Sequence, residues 1–274
     1  MAQLDPLHPV RRHTDPAHVR HIETLARHAW PAAEQQPLDG WLLRSTDGVT
    51  RRANSVWPNA LDGALGLDER LAQVETFYAV RGRPACYQIC PAALPIELDE
   101  VLARRGYAAE AETAVQTVAL PALLAAAAAR TVRPAAAVSV TVATELTDRW
   151  YDAYCESEAV TGHPAAVRRA IIARIAVPVG YAVAVREDRV VALGMGVLED
   201  GWLGIFNMAT PAAFRRQGLA TMILAALADW AAAQGAHSSY LQVMLSNPGA
   251  QMLYAGLGYR TQYHYHYRTL PAAA

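Results

Sequence analysis

The segment richest in usable chemistry is Asn207-Met208-Ala209-Thr210-Pro211-Ala212-Ala213-Phe214-Arg215-Arg216-Gln217-Gly218-Leu219-Ala220. A strand ends, a short loop comes next, and a helix begins at a glycine. The first amides of a helix have no acceptor inside it. The helix dipole adds positive potential at the same end, which suits a phosphate-like anion. Gly218 and the small Ala220 let a ligand approach the backbone closely, and Arg215 and Arg216 can fork onto phosphate oxygens. In physical terms this is a pyrophosphate cradle. It is not a P-loop, because no Gly-Lys-Ser/Thr comes after it. An ordinary helix start with two exposed arginines reads the same residues equally well, and residues further along the chain decide between the two.

The elements around this turn read as an alternation of hairpins and strand–helix units. Leu146 to Ala159 and Ala165 to Ile175 are expected as helices. Gly180 to Arg186 and Val190 to Leu198 are strands joined at Glu187-Asp188, and Trp202 to Ala209 is a third strand after Asp200-Gly201. Gly218 to Gln234 carries Leu219, Ile223, Leu227 and Trp230 on one helical face and stops at Gly235. A strand over Ser238 to Leu245, a short helix over Pro248 to Gly256 and a strand over Thr261 to Thr269 complete the set. The fold class is α/β (α+β), a mixed sheet with helices on both faces.

The chain also repeats itself. Asp47-Gly48 matches Asp200-Gly201 at 200 − 47 = 153, and Asn54, Pro58, Gly82 and Tyr87 match Asn207, Pro211, Gly235 and Tyr240 at the same spacing. Gly106-Tyr107 matches Gly258-Tyr259 at 258 − 106 = 152. Between the copies lies an Ala- and Pro-rich stretch. Pro121 to Arg130 can form a short helix, and Thr131 to Pro134 reads as a hinge because the residue before a proline avoids the helical region. The expected division is residues 1–130, a linker at 131–137, and residues 138–274.

Two motifs of the second copy, in this order, carry a family resemblance. Arg215-Arg216-Gln217-Gly218-Leu219-Ala220 resembles the Q/R-x-x-G-x-G/A signature of the GNAT superfamily of N-acetyltransferases. Asn247-Pro248-Gly249-Ala250-Gln251-Met252-Leu253-Tyr254-Ala255-Gly256-Leu257-Gly258-Tyr259 resembles its second signature, Asn, then Ala, then Leu-Tyr, then Gly-aromatic. The match spans the C-terminal copy, and the whole chain is similar to tandem GNAT proteins in which one copy is degenerate. The resemblance implies two GNAT-like domains, each a mostly antiparallel mixed sheet flanked by helices. It implies acetyl-CoA as co-substrate, lying where the strand ending near Ala209 splays from the strand beginning near Ser238. The amides of Gln217, Gly218, Leu219 and Ala220 would take the pyrophosphate. Backbone groups of Met208, Ala209 and Thr210 would hold the pantetheine arm, and one N–H there could polarise the thioester carbonyl. A neutral amine would attack directly, and Tyr254 would protonate the departing thiolate, as a phenol protonated at neutral pH can. Asn247 before Pro248 is an ideal N-cap pairing, and a pantetheine contact can coexist with it. The recurrence of Asn207 as Asn54 hints at a strand irregularity.

By the same spacings Arg215 falls on Asp62, Gly218 on Leu65 and Tyr254 on Leu102, so the N-terminal copy is expected to lack the site. It could bury a sheet edge, shape an acceptor pocket or make a dimer contact; Arg51 and Arg52 on its strand could still bind an anion, though solvated face charges are the commoner explanation. No general base stands out: Trp202 to Met208 has no acid or His, and Glu156, Glu158 and His163 are the remaining candidates, besides a water chain. In Tyr263-His264-Tyr265-His266-Tyr267, alternation puts three tyrosines on one face and two histidines on the other; packing is the favoured role of the tyrosines, acceptor contact the lesser. The acceptor amine is open: small molecule or peptide. One rival reading is a non-catalytic acyl-CoA-binding or scaffold protein; another is a different phosphate-ligand enzyme, against which the Asn247 to Tyr259 signature argues.

The remaining composition narrows the class. Of 274 residues 53% are hydrophobic and 18% charged, which suits a globular chain with a large core. A net charge of −1 gives no field for nucleic acid or an anionic membrane. All basic residues other than His are Arg, so no Lys can serve as Schiff base or general base. Cys86, Cys90 and Cys155 are too few and too oddly spaced for a disulfide framework or a metal site. The polar start and the short apolar run Val118 to Ala129, which holds Pro121, suggest neither a signal peptide nor a membrane span, so a cytoplasmic location is expected.

Overall fold

The structure, a computed structural model, describes residues 15–130 and 137–271. In chain order come α1 (Pro16–His28), β1 (Glu34–Leu38), β2 (Trp41–Ser45), α2 (Leu67–Ala79), β3 (Cys86–Ile89), α3 (Leu98–Arg104), β4 (Ala108–Ala119) and α4 (Leu120–Ala129). The second half consists of β5 (Ser139–Ala143), α5 (Asp148–Glu158), α6 (Gly162–Ala173), β6 (Val179–Arg186), β7 (Arg189–Glu199), β8 (Trp202–Ala209), α7 (Leu219–Ala232), β9 (Ser238–Met244), α8 (Pro248–Gly256) and β10 (Arg260–Thr269). The C-terminal strands and helices expected from the sequence all form. One further strand is present, β5, whose Ser-Val-Thr-Val alternation is too short to stand out in the sequence. The expected hinge over Thr131 to Pro134 falls outside the described residues.

The repeat landmarks share backbone conformations. Asp47-Gly48 and Asp200-Gly201 all have positive φ, and so do Gly82 with Gly235 and Gly106 with Gly258. The last two pairs stand just beyond helix ends, where a left-handed residue lets the chain turn away. These are positions where the backbone itself selects glycine, which is why the spacing survives there.

Eight strands form one sheet in the order β3-β10-β4-β9-β8-β7-β6-β5, and β1 pairs only with β2. Every pair is antiparallel except β8–β9. The two halves therefore do not carry self-contained sheets. β4 lies between β9 and β10, and β10 lies between β3 and β4. The crossovers β3-α3-β4 and β9-α8-β10 each leave a gap one strand wide, and the other half fills it. The exchange satisfies backbone groups that would otherwise form exposed edges.

Alternation sorts the side chains into two faces. The front face carries Tyr240, Tyr263, Tyr265 and Tyr267 beneath α1, α5 and α6. The back face carries Leu203, Ile205, Leu241 and Val243 against α4, α7 and α8. Capping locks the helices that matter. Asp15 accepts from Ala17 N at the start of α1, Thr147 from Trp150 N at the start of α5, and Asn247 from Ala250 N at the start of α8.

Candidate active site

The parallel pair β8–β9 runs only from Trp202↔Ser238 to Ile205↔Leu241. Beyond it the strands part: β8 continues to Ala209, while β9 stays paired with β4 as far as Thr113↔Met244. A bulge turns β8 at this point. Leu193↔Ala209 is followed by Met195↔Phe206, so β8 spends an extra residue there, and Asn207 has φ 50°. The extra residue reverses the alternation. Phe206 faces front, whereas Met208 packs against the back core, where a Cβ on Gly194 would stand 2.4 Å from its Sδ. Asn207 is thus a strand irregularity, whereas its counterpart Asn54 has φ −138° at the end of a 3-10 turn and is not on a strand. The backbone of Met208, Ala209 and Thr210 is left at the mouth of the cleft, freed from β9.

The cradle comes next in the chain. Arg215 Nε donates to Thr210 O at 3.0 Å, closing the turn on itself. Arg216 and Gly218 both have positive φ (64° and 76°), and Gly218 caps α7. The first bond closing a helical turn is Met222 N to Gly218 O, so the amides just before it have no acceptor within the helix. Alternating left-handed residues turn successive amides toward one concavity, an arrangement that suits anions. Arg215 and Arg216 are exposed at its rim. Gln217 is tethered by its side chain, which accepts from Arg186 Nη2 at 2.9 Å. Leu219 is buried in the back core, so only its amide is available, while Ala220 stays partly open. Two further guanidinium groups stand nearby over the Phe214 ring, Arg186 at 5.9 Å and Arg189 at 5.4 Å. They come from the β6–β7 hairpin, and no motif in the sequence links them to the turn.

Tyr254 sits on α8, 8% exposed, its ring 5.8 Å from that of Tyr259. Burial pushes its phenol up to about 12, so it keeps its proton at neutral pH. Asn247 is exposed and caps α8, the role its place before Pro248 suggests.

The front face holds polar groups whose significance the sequence did not reveal. Glu23 of α1 is 1% exposed and accepts from Tyr263 Oη at 2.8 Å and Gln88 Nε2 at 2.7 Å. Burial, outweighing these bonds and the nearby Arg44 and Arg52, pushes its carboxyl up to about 7. Arg44 is buried too and donates to Ser55 O, Ser55 Oγ and Gln88 Oε1. Arg52 is in a 3-10 turn, Arg51–Ala53, and not on a strand. It is only partly exposed, unlike the solvated charge expected of it, and lies over the rings of Trp30 (5.8 Å) and Phe206 (5.6 Å). Tyr263, Tyr265 and Tyr267 are buried. His264 faces Glu112 at 3.9 Å, and His266 and Arg268 share Asp99. The three candidate bases do not converge: Glu156 is exposed, Glu158 pairs with Arg168 at 3.7 Å, and His163 lies 3.6 Å from Asp47 at the surface. No helix among the described residues is long and apolar enough to cross a membrane.

The corresponding turn of the N-terminal half is built otherwise. Its helix α2 is capped by Gly66, so the helix starts align at 218 − 66 = 152, one residue away from the Leu65 alignment. Asp39 lies at this turn and accepts from Leu65 N and Arg70 Nη2, both at 2.8 Å.

Comparison with known proteins bears on this geometry. A family model described as the C-terminal part of the probable histone acetyltransferase Rv0428c matches residues 16–268. The chain is 32% identical over 250 residues to an uncharacterized N-acetyltransferase of Bacillus subtilis (strain 168), YobR, covering 91% of this chain and 98% of that one. In fold it is similar to a GCN5-related N-acetyltransferase from Kribbella flavida, with a TM-score of 0.63 at 18% identity over 97% of each chain. It is also similar to a tandem GNAT protein of the clavulanic acid biosynthesis pathway, with a TM-score of 0.55 at 12% identity over 77% of this chain and 73% of that one. With the family model spanning nearly all the described residues and YobR matched almost end to end, this chain belongs to the GNAT family of N-acetyltransferases.

Proposed function

We propose that the chain moves an acetyl group from acetyl-CoA to the primary amine of a small-molecule or peptide acceptor, and that the working site is in the C-terminal half. What supports this most is one conjunction: β8 parts from β9 beyond Ile205 and Leu241 beside the start of α7, where Gly218 adopts a left-handed cap. A pyrophosphate fits this turn because the amides of Gln217, Gly218, Leu219 and Ala220 precede the first closed helical turn, with Arg215 and Arg216 at the rim. The backbone of Met208, Ala209 and Thr210, unpaired with β9, is available to the extended arm of the co-substrate, and an N–H there can draw charge onto a carbonyl oxygen. Acetyl-CoA supplies the activated acyl group. Tyr254 Oη holds a proton across the neutral range and can deliver it to a leaving thiolate. The N-terminal half is, on this reading, a copy without a cofactor site: Asp39 stands where an anion would bind, and Leu102 is the counterpart of Tyr254.

Titration calorimetry of acetyl-CoA and CoA tests the cradle. Micromolar or tighter binding that disappears in Arg215→Glu is the expected result; a folded protein that binds neither ligand would sink the reading. Binding without CoA release for any amine would leave a non-catalytic acyl-CoA-binding protein, a reading that the lack of any acid on Trp202–Met208 favours.

A further inference from the structure

Arg52 belongs to the N-terminal half, yet its guanidinium lies over Phe206, the residue at which β8 begins to leave β9. Its backbone is held in place. The Asn54 side chain accepts from Thr46 N and Gly48 N and donates to Val49 O and Thr50 O. Trp30 Nε1 donates to Thr50 Oγ1 at 3.0 Å, and Arg51 pairs with Glu110 at 2.6 Å. Arg52 itself makes no hydrogen bond and no ion pair with any described residue. Glu23, an acid that its field reaches, is already bonded to Tyr263 and Gln88. Burial raises the phenols of Tyr154, Tyr240, Tyr265 and Tyr267, and Arg52 acts the other way on all four, so its field covers this part of the front face. A second unused donor stands there. Gln242 is the first front-facing residue of β9 beyond the last β8–β9 pair. Its Oε1 accepts from Tyr265 Oη at 3.4 Å, while its buried Nε2 has no partner.

An unpaired guanidinium on a fixed stretch of backbone and an unpaired amide donor, walled by aromatic rings, ask for an acceptor with two oxygens in one plane. The cradle and α8 lie toward the back face, so an acceptor reaches the parting of β8 and β9 from the front. We infer that the acceptor is an amine that also bears a carboxylate, an amino acid or a peptide end, and that Arg52 of the N-terminal half binds this carboxylate with Gln242 beside it. This rests on the acetyl-transfer reading and narrows it. Polycationic acceptors are disfavoured, because they would meet the guanidinium.

The test uses the full chain with free amino acids, L-phenylalanine among them, each paired with its carboxamide, and with N-acetyl-L-phenylalanine and its amide titrated in the presence of CoA. Acids are expected to be the better acceptors even though carboxamides have the more readily deprotonated amine. Arg52→Gln should raise KM for acids and weaken the N-acetyl acid roughly ten- to hundredfold, while Kd for acetyl-CoA stays unchanged. Arg52→Lys should recover part of the loss. Equal use of acids and amides, or weakened acetyl-CoA binding in Arg52→Gln, overturns the inference and leaves acetyl transfer standing. Carboxylate binding that depends on Arg52, in a chain that binds no acetyl-CoA, would instead overturn acetyl transfer.

Discussion

Two helices of this chain start from a glycine, and the chain leading into each is built differently. At α7, Gly218 has φ 76°, Arg216 near it is left-handed as well, and Arg215 and Arg216 are exposed beside the helix start. At α2, Gly66 has φ −61° in an extended conformation, and the chain's own Asp39 carboxylate has taken the amide of Leu65 and the guanidinium of Arg70. The same helix-end electrostatics operate in both. In the N-terminal half an acidic side chain is bonded just before the helix start and to Arg70 of the helix, whereas among the described residues no acidic side chain is bonded at the start of α7. A helix start is therefore not a site in itself; what matters is whether an acidic side chain from the same domain reaches it first.

Asp39→Ala leaves Arg70, whose side chain is 5% exposed, buried without its partner. About 3 kcal/mol should be lost in urea unfolding, and a loss near zero would mean that the N-terminal turn does not depend on its internal anion. On the other side, Tyr254→Phe should lower kcat by about a hundredfold or more, while calorimetry finds the same acetyl-CoA affinity. An unchanged kcat would remove Tyr254 as the acid.

The glycines make a smaller and sharper contrast. Gly218→Ala places a Cβ in the left-handed region, at a cost of about 1 kcal/mol, and should weaken acetyl-CoA. Gly66→Ala has ordinary dihedrals and no atom within 4 Å of the new Cβ, so its melting temperature should hold or rise slightly. Equal effects at the two positions would erase the distinction.

The smallest effect expected is one of slope. Burial raises the Glu23 carboxyl from an ordinary value of 4.5 to about 7, so the folded chain keeps a proton that the unfolded chain has released. That contribution to stability is complete below about pH 4.5 and is lost as pH climbs through about 7. Glu23→Gln should flatten the fall in melting temperature over this window, whereas parallel curves for the two proteins would show that Glu23 does not titrate there.

Much of the C-terminal half was readable because local rules act on neighbouring residues. Asn247-Pro248 caps α8, Asp200-Gly201 turns the β7–β8 hairpin, and Gly218 opens α7. On the front face the packing of Tyr263, Tyr265 and Tyr267 was readable from strand alternation, but its polar groups were not. Glu23 and Tyr263 are 240 residues apart in the chain and share a hydrogen bond. Arg52 looked like a solvated charge because nothing within a few residues of it announces the rings of Trp30 and Phe206. The single sheet was hidden for a similar reason: β4 and β10 are each the last strand of their half in chain order, and strand order is decided by which edges remain to be paired.

Turn types, helix caps, and the two signatures with their spacing were legible along the chain, since they depend on backbone preferences within a few residues. Packing at long range settles that the halves exchange their last strands, that Asp39 bonds the chain just before α2, and that a guanidinium from one half stands at the parted strands of the other. These depend on which groups burial brings together and on which donors are left without an acceptor once every nearer partner is taken.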